Sequence, residues 1–365
     1  MHHKYIVTNF AYGTGPYLMT TKLAAAFNDE LERAGQPRMG IIVPWVYGEK
    51  QKRIMAEEFS GYEKKYPGEL ILDAGLGGIL EKVFYGGTDY ETYLKKWTAN
   101  FKEVSREANA YLSARYGSDI AVELNRSPRL LYGVAPAYST SFGHMSQIFE
   151  KSLEVPVIKI QKELLQKAAE ISKCIEREQQ IQAVAYPGVF SWAKDYQPVH
   201  KGEVLAPPIG PMPRPDTSEI EKGIYVTKTG IPGLERLYGK AEKLGLKIYS
   251  NGDHNPNLIT NQTILLHFAR SGWASVWFSL LAEKPIIVPE YDSADDPEIY
   301  FNNLAIEKTG IGIVYREEPL KELLKKSEHA KRSCQQTKKE ILERWGTLDG
   351  TGYCAAIFAR DFLKR

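Results

Sequence analysis

Short apolar runs alternate with longer segments of helical periodicity along the whole chain. In the first half, helical spacing predicts helices over residues 18–34 and 90–116 and over most of 147–179. The apolar runs predict strands at residues 5–8, 39–44, 69–72, 120–124 and 183–186. Glycine-rich segments at 9–16 and 73–78 are predicted as turns after strands. Strands that alternate with helices indicate a parallel sheet covered on both faces.

A proline-rich segment interrupts this pattern at residues 207–215, where five prolines fall within nine residues. Proline has a fixed φ and no N–H donor, so the segment cannot lie inside a helix or a central strand. We interpret it as a semi-rigid linker between two domains, with one long surface loop as the alternative. The predicted domains are residues 1–206 and 207–345. A helix within 346–365 either packs back on the first domain or caps the second.

The strand–turn–helix pattern then restarts. Strands are predicted at residues 223–227, 246–249, 263–268 and 285–289, with helices at 234–243 and 272–281. The two strand–glycine turn–helix beginnings, at residues 5 and 224, predict an α/β fold of two doubly wound, Rossmann-like domains. Ligands of such sheets bind at the carboxyl ends of the strands, and we expect the site in the cleft between the domains.

Charge and cysteine content narrow the function classes. The 365 residues include 47 Lys and Arg against 45 Asp and Glu, a formal net charge of +2. This balance leaves no basic footprint for nucleic acid. Three widely spaced cysteines suit a reducing compartment, and no signal peptide or spanning segment is evident. We therefore expect a cytoplasmic protein, and association with a membrane surface stays an open alternative.

The most informative segment begins at the turn Arg270-Ser271-Gly272. This turn joins a predicted strand to the helix that starts at Trp273. The free N–H groups at the start of a helix stabilise an anion, and Gly272 allows the backbone to approach it closely. Arg270 would add a positive charge suited to phosphate, and Ser271 is a candidate N-cap or phosphate donor. The alternative is a capped helix with an ordinary surface arginine.

A second polar group follows the next predicted strand. Asp296-Pro297-Glu298 opens another helix, with Asp296 as the candidate N-cap and proline at the first helical position. Asp296 and Glu298 are also placed to accept hydrogen bonds from sugar hydroxyls at the strand end. Asn302 lies about one helical turn beyond Glu298 and is expected to face the same way.

These phrases resemble the nucleotide-sugar half of GT-B-fold glycosyltransferases. The similarity is greatest to the N-acetylglucosaminyltransferase group that makes lipid II, and it covers roughly 50 residues. It rests on four phrases of this chain, namely Arg270-Ser271-Gly272, the apolar strand 285–289 between prolines, the phrase 296–302 and the phrase 306–310. The resemblance implies two Rossmann-like domains that face each other across a cleft.

The same resemblance assigns roles to individual residues. Arg270, Ser271 and Gly272 would contact the diphosphate of a nucleotide sugar, most simply a UDP-sugar, and Asp296 and Glu298 the donor sugar. The resemblance implies metal-independent transfer, so we expect no metal and no cofactor. In this chain Phe278 stands where the family has a ribose-binding glutamate.

The first domain matches the family only partly. Gly13-Thr14-Gly15-Pro16-Tyr17 resembles a family Gly-Thr-Gly-Gly-His phrase, with Tyr17 in place of the histidine that is a candidate base there. Gly13 and Gly15 are expected in a loop facing the diphosphate or the acceptor. In the second domain, Thr229 lies on the glycine turn after residue 227 and is a candidate for assisting the diphosphate, with an ordinary solvated turn as the alternative.

Two residues of the first domain are candidate catalytic bases. Glu123 lies near the end of a predicted strand, with an ion pair to a nearby arginine as the structural alternative. His144 follows in a Ser-Phe-Gly-His turn, where a purely structural role is the alternative. The pair Asp253 and His254 lies in a run of turn-forming residues and is interpreted as a loop.

The leading hypothesis is a glycosyltransferase that moves a sugar from a nucleotide-diphosphate sugar to an acceptor that is a glycan, a lipid-linked molecule or a small molecule. Two alternatives stay open, a nucleotide-sugar epimerase of the same fold and a non-catalytic protein that binds sugar nucleotides.

Overall fold

A computed structural model describes residues 4–10, 13–84, 89–228 and 234–365. In chain order the strands are β1 (Tyr5–Phe10), β2 (Gly40–Pro44), β3 (Leu70–Asp73), β4 (Ile120–Arg126), β5 (Ala137–Ser141), β6 (Gln179–Ala185), β7 (Glu203–Ala206), β8 (Gly223–Val226), β9 (Lys247–Ser250), β10 (Ile264–Phe268), β11 (Ile286–Pro289) and β12 (Gly312–Tyr315). The helices are α1 (Thr14–Arg33), α2 (Gly48–Glu58), α3 (Ser60–Lys65), α4 (Ala74–Leu80), α5 (Tyr90–Tyr116), α6 (Met145–Ser152), α7 (Lys162–Arg177), α8 (Leu234–Glu242), α9 (Trp273–Leu281), α10 (Pro297–Thr309), α11 (Leu320–Trp345) and α12 (Gly350–Phe362). Short 3₁₀ helices cover Gly117–Asp119 and Pro256–Thr260.

These elements form two compact units. The first contains Met1–Ala185, Gln197–Ala206 and Gly350–Arg365, and the second contains Tyr186–Tyr196 and Pro207–Asp349. The first unit therefore differs from the expected 1–206 because the segment Tyr186–Tyr196 belongs to the second. The indole Nε1 of Trp277 on α9 donates to the carbonyl oxygen of Pro187 at 2.7 Å, which ties that segment to the second unit.

Each unit is built on one sheet of parallel strands. The first sheet has the order β3-β2-β1-β4-β5-β6-β7, and the second has the order β12-β11-β10-β8-β9. All the pairings in both sheets are parallel. The central strands are buried on both faces, as parallel sheets covered by helices require. The α/β fold class is therefore confirmed.

The start of α1 differs from the prediction. The helix begins at Thr14 rather than at residue 18, so Gly13 is its N-cap and Gly15 and Pro16 lie in its first turn. Proline is tolerated there because the first N–H groups of a helix have no partner within the helix. Gly13 has a φ of 125°, a backbone conformation that favours glycine.

The glycine-rich segment after β3 is a helix, α4, and not the predicted turn. Asp73 caps it by accepting a hydrogen bond from the Leu76 N–H at 2.9 Å. A Cβ at Gly77 would lie 2.0 Å from the carbonyl oxygen of Trp45, and one at Gly75 would overlap the ring of Tyr111. The glycines therefore allow α4 to pack closely against Trp45 and Tyr111. The turn preference of glycine in the local sequence does not reveal this packing.

The C-terminal helix α12 packs against α1 in the first unit. Its buried face carries Cys354, Ala355 and Phe358, each fully enclosed. The hydroxyl of Tyr138 on β5 donates to Asp361 at 2.8 Å and ties the helix to the sheet. Between the two alternatives for the C-terminal segment, the chain thus adopts the packing against the first unit.

The proline-rich segment belongs to the second unit and contacts the rest of it at several points. The backbone N–H of Arg214 donates to Asn257 at 2.9 Å, and that of Asp216 donates to Thr260 at 2.8 Å. A Cβ at Gly210 would lie 3.3 Å from the ring of Trp277. The segment is thus an irregular but packed part of this unit. Among the described residues, no helix combines the length and apolar character that crossing a bilayer needs.

Candidate functional site

The second sheet reverses its winding between β8 and β10, which are neighbours in its centre. At such a point the connections leave the carboxyl ends of two adjacent strands in opposite directions and open a crevice between them. The chain leaves β10 through Arg270-Ser271-Gly272 and leaves the next strand, β11, through residues 290–296. The topology therefore brings the arginine turn and the acidic segment to the same edge of the sheet.

Arg270 forms an ion pair at this edge. Its Nε donates to Asp295 at 3.2 Å, and its Nη2 donates to the other carboxylate oxygen of the same residue. Burial lowers the pKa of the Arg270 guanidinium, but the negative charges of Asp295, Asp296 and Glu298 outweigh it and raise the pKa above its ordinary value. Because its pKa is raised, the guanidinium stays positively charged. The side chain is 37% exposed, so the cation also reaches solvent. The sequence shows Asp295 as one residue of an acidic loop, but it does not predict the pairing with Arg270, because an ion pair across two strand ends leaves no local pattern.

Asn302 on α10 holds the Arg270-Ser271-Gly272 turn in place through hydrogen bonds. It is fully buried, and its Nδ2 donates to the Ser271 carbonyl oxygen at 2.9 Å and to Glu298 at 3.1 Å. Its Oδ1 accepts from the indole Nε1 of Trp273 at 2.7 Å. With both amide donors and the acceptor engaged, Asn302 holds the Arg270 turn against α10. Its contact with a donor sugar stays a prediction.

The N-terminus of α9 is open. Gly272 is the N-cap, without a side-chain cap, and a Cβ placed on it would meet nothing within 4 Å. The prediction of Ser271 as the N-cap is wrong by one residue, since Gly272 holds that position. The buried hydroxyl of Ser271 has no hydrogen-bond partner among the described residues. A buried hydroxyl without a partner costs free energy, so its position beside an open helix terminus favours a polar ligand there.

Asp296 caps α10, as its place before Pro297 predicts. Its carboxylate accepts from the Glu298 N–H at 2.9 Å. Glu298 is partly exposed and bonds Asn302 with one carboxylate oxygen. The sequence thus located the helix start correctly, and sugar contacts of both carboxylates stay predictions.

His267 on β10 is a buried polar residue that no local sequence pattern marks as part of the site. Its ring bridges Thr227 at 2.8 Å and Ser279 at 2.6 Å. Burial lowers the pKa of His267 to about 3, so the ring is neutral at physiological pH. These hydrogen bonds join the ends of β8 and β10 to α9, at the place where the sheet reverses its winding. Phe278, at the position of the family's ribose-binding glutamate, is buried in the core.

In the first unit, Gly13 and Gly15 are placed by the start of α1. The Gly13 N–H donates to the hydroxyl of Tyr47 at 2.6 Å, and a Cβ placed on Gly15 would meet nothing within 4 Å. Tyr17 is fully buried, and its hydroxyl has no hydrogen-bond partner among the described residues. Burial, with a smaller effect of Glu58, raises the pKa of Tyr17 to about 12. Tyr17 is therefore protonated at neutral pH. The predicted site residue Thr229 lies outside the described residues.

Glu123 is fully buried within the first sheet. Its carboxylate accepts hydrogen bonds at 3.3 Å from the Asn9 side chain and from the backbone N–H groups of Tyr132 and Gly133. Burial raises the pKa of Glu123 to about 7, although these hydrogen bonds act in the opposite direction. Such a pKa suits a general base, but the carboxylate is closed to solvent. Its role as a base stays a prediction.

His144 precedes α6 and is also fully buried. Its Nε2 lies 2.8 Å from a carboxylate oxygen of Glu203, and its Nδ1 lies 3.8 Å from one of Glu176. The structure thus places His144 in a polar cluster of its own. None of the hydrogen bonds of Glu123 given above involves this cluster, so the two base candidates have separate surroundings.

No protein-family model and no curated protein sequence matches this chain. Solved structures match it over nearly its full length. The calicheamicin glycosyltransferase CalG4 is 14% identical with a TM-score of 0.60, and the alignment covers 100% of this chain and 99% of that one. UGT2 of Phytolacca americana, solved with UDP-2-fluoro-glucose and pterostilbene, is 9% identical with a TM-score of 0.66, covering 99% and 100%. UGT71G1 of Medicago truncatula, solved with UDP-glucose, is 10% identical with a TM-score of 0.60, covering 99% and 98%.

These likenesses confirm the predicted GT-B fold. At this level of identity they establish the fold alone, and what this chain binds must be argued from its own residues.

Proposed function

We propose that this protein is a glycosyltransferase that takes its sugar from a nucleotide-diphosphate donor, most simply a UDP-sugar. The observation that carries the proposal is the Arg270-Ser271-Gly272 turn. It lies at the winding reversal of the second sheet, it opens α9 with an uncapped N-terminus, and Asn302 fixes it. The GT-B fold supports this assignment, because its known members in the comparison are glycosyltransferases.

Glycosyl transfer requires stabilisation of the departing diphosphate. A guanidinium and the first N–H groups of a helix supply positive charge where the leaving group becomes more negative. We assign these parts to Arg270 and α9, with the Ser271 hydroxyl as a further donor. Asp296 and Glu298 are proposed to accept hydrogen bonds from the donor sugar. We propose that no metal ion takes part, since the protein supplies the positive charge itself.

The catalytic base is left unassigned in this proposal. Glu123 and His144 are closed to solvent, and Tyr17 keeps its proton at neutral pH. This one observation favours a second candidate function, a protein that binds sugar nucleotides without transferring the sugar. The epimerase alternative finds no comparable support among the described residues.

Two finer assignments belong to the same proposal. Within the glycosyltransferases, the phrases between residues 270 and 310 favour a relationship with the lipid II-forming group, and a lipid-linked acceptor would follow from it. We also propose a cytoplasmic location, supported by the three free cysteines.

A donor screen tests the function. Melting temperatures are measured with UDP-, GDP- and dTDP-sugars, and each donor that binds is then incubated with the protein and analysed for free sugar and nucleoside diphosphate. We expect one nucleotide class to raise the melting temperature and its donor to be hydrolysed slowly. Binding without hydrolysis, and without transfer to any acceptor in a panel of glycans, lipids and phenols, would support the non-catalytic alternative. Conversion of the donor sugar into its epimer would support the epimerase. The absence of binding by every nucleotide would refute the proposal.

A further inference from the structure

Two histidines and two glutamates form a buried cluster in the first unit. His144 is the N-cap residue of α6 without a side-chain capping bond, Glu176 lies near the end of α7, and His200 and Glu203 lie before and at the start of β7. Their side chains are between 0% and 7% exposed. The packing of α6 on α7 and the pairing of β7 with β6 bring these three parts of the chain together. No part of the proposed glycosyl transfer uses this cluster.

The donor atoms converge on one point. A nitrogen of His144, a carboxylate oxygen of Glu176 and a nitrogen of His200 all lie within 4.8 Å of one another. His200 Nε2 lies 2.9 Å from Glu176 Oε2, and His144 Nδ1 lies 3.8 Å from the same oxygen. Donor atoms on a tetrahedral zinc ion are about 3.4 Å apart, given metal–ligand distances of roughly 2.1 Å. Two of the three separations, 2.9 and 3.8 Å, differ from this value by about half an ångström. The widest separation, up to 4.8 Å, would have to shorten by about 1.4 Å, so the two histidine rings must draw together when the ion binds.

The orientation of His144 is that of a metal ligand. Its Nε2 bonds Glu203 at 2.8 Å, and the same carboxylate oxygen accepts the Val199 N–H at 2.7 Å. An ionised carboxylate only accepts hydrogen bonds, so the proton of a neutral His144 ring lies on Nε2. This leaves the lone pair on Nδ1, which is buried and has no hydrogen-bond partner among the described residues. Metal-binding histidines commonly donate their second ring N–H to a carboxylate in this manner.

Glu176 is held in place as well. Its Oε1 accepts a hydrogen bond from the Ser146 N–H at 3.1 Å, and its Oε2 accepts one from the Ser146 hydroxyl at 2.5 Å. Metal-binding carboxylates commonly accept such hydrogen bonds, which orient them toward the ion.

We propose that His144 Nδ1, Glu176 Oε2 and His200 Nε2 bind one Zn²⁺ ion, with a water molecule as the fourth ligand and Glu203 as the residue that orients His144. When the ion binds, the proton that His200 Nε2 donates to Glu176 leaves that nitrogen, either by a change of tautomer to Nδ1–H or by release to solvent. Imidazole and carboxylate ligands suit zinc. The ion would join α6, α7 and the segment that enters β7, so its role is to stabilise the first unit. The proposal does not depend on glycosyl transfer, since the donor site is built from residues of the second unit.

Metal binding is measured on the full-length protein after treatment with a chelator. Zinc is titrated in competition with a chromophoric chelator, and bound metal is counted by mass spectrometry. We expect one Zn²⁺ per chain and a higher melting temperature. His200→Gln is expected to weaken binding at least about 100-fold by removing a ligand, and Glu203→Gln by about 10- to 100-fold through loss of orientation.

Two variants serve as controls. His254→Gln removes an exposed histidine beside Asp253 in the second unit, and Arg270→Ala removes the proposed diphosphate ligand. Both should bind zinc like the unchanged protein. Conversely, His200→Gln should keep the nucleotide affinity, so failure of the zinc site is separable from failure of the donor site.

Co²⁺ gives a readout that needs no variant, because a tetrahedral site with nitrogen and oxygen ligands has intense visible absorption. We expect this spectrum to appear at one equivalent of Co²⁺ and to disappear when Zn²⁺ is added. The proposal is overturned if the unchanged protein shows neither this spectrum nor stoichiometric zinc. It is also overturned if His254→Gln loses as much affinity as His200→Gln.

Discussion

The ion pair between Arg270 and Asp295 makes a quantitative prediction about nucleotide binding. The guanidinium that we assign to the diphosphate is already bonded to a carboxylate. A diphosphate must therefore displace Asp295 from Arg270 or share the cation with it. Removing the arginine should weaken binding, and removing only the competing carboxylate should strengthen it.

The expected changes in affinity follow from the strength of a charged hydrogen bond and from the exposure of the ion pair. A hydrogen bond to a charged group contributes about 1.5–3 kcal/mol, so Arg270→Ala should weaken UDP binding roughly 10- to 100-fold. The ion pair is 37% and 31% exposed at its two ends. Pairs with such exposure contribute at most about 1 kcal/mol, so Asp295→Asn should strengthen binding by up to about fivefold.

The assay is isothermal titration calorimetry with UDP on the two single variants and the double variant. If Asp295 acts through Arg270, Asp295→Asn should change the affinity little once Arg270 is alanine. Two matched controls come from the same unit. Arg316 is paired with Glu290 and Glu307, and Asp292 lies in the same acidic loop as Asp295. Arg316→Ala and Asp292→Asn should both leave the affinity nearly unchanged.

The outcome that contradicts this reasoning is also specific. Equal strengthening by Asp295→Asn with and without Arg270 would mean that the carboxylate only repels the diphosphate at a distance. Such an effect would be abolished by salt and shared by Asp292→Asn. An unchanged affinity of folded Arg270→Ala would remove the arginine from the proposed site.

Three further outcomes are expected. Replacing Asn302 by Leu leaves the Trp273 indole N–H and the Ser271 carbonyl without their buried partner. Urea unfolding should therefore show that the free energy of unfolding falls by about 1–3 kcal/mol, and UDP binding should weaken as well. An unchanged stability would contradict the proposed role of Asn302 in holding the turn. Because the pKa of Glu123 rises from 4.5 unfolded to about 7 folded, its protonated form stabilises the fold fully below pH 4.5, and this contribution is lost as the pH rises to about 7. Unfolding free energies measured across this range should therefore rise for Glu123→Gln relative to the unchanged protein by roughly 3 kcal/mol, and a constant difference would show that the carboxyl titrates normally. Phe358→Ala on α12 should cost about 3–5 kcal/mol in the same unfolding assay, whereas a loss below about 1 kcal/mol would mean that α12 adds little to the first unit.

Several features of the fold could be read from local sequence because they depend on local physics. Most of the central strands contain a short apolar run, as buried strands of a parallel sheet do, and the N-cap of α10 follows from Asp296 before a proline. The strand β5 was missed, since its sequence Ala-Tyr-Ser-Thr-Ser has no apolar run although all five residues are buried. Its polar side chains are enclosed by neighbours that lie far away in sequence.

The sequence by itself determined the alternation of strands and helices, and with it the α/β class and the position of the Arg270 turn at a strand end. Periodicity and capping act over a few residues, so one sequence is enough to detect them. Only the tertiary structure decided which side chains meet. The pairing of Arg270 with Asp295, the clamp by Asn302 and the joining of His144 to Glu176 and His200 all bring together residues 25 to 56 positions apart. Such contacts depend on which strands are neighbours and how helices pack, and no local pattern encodes that order.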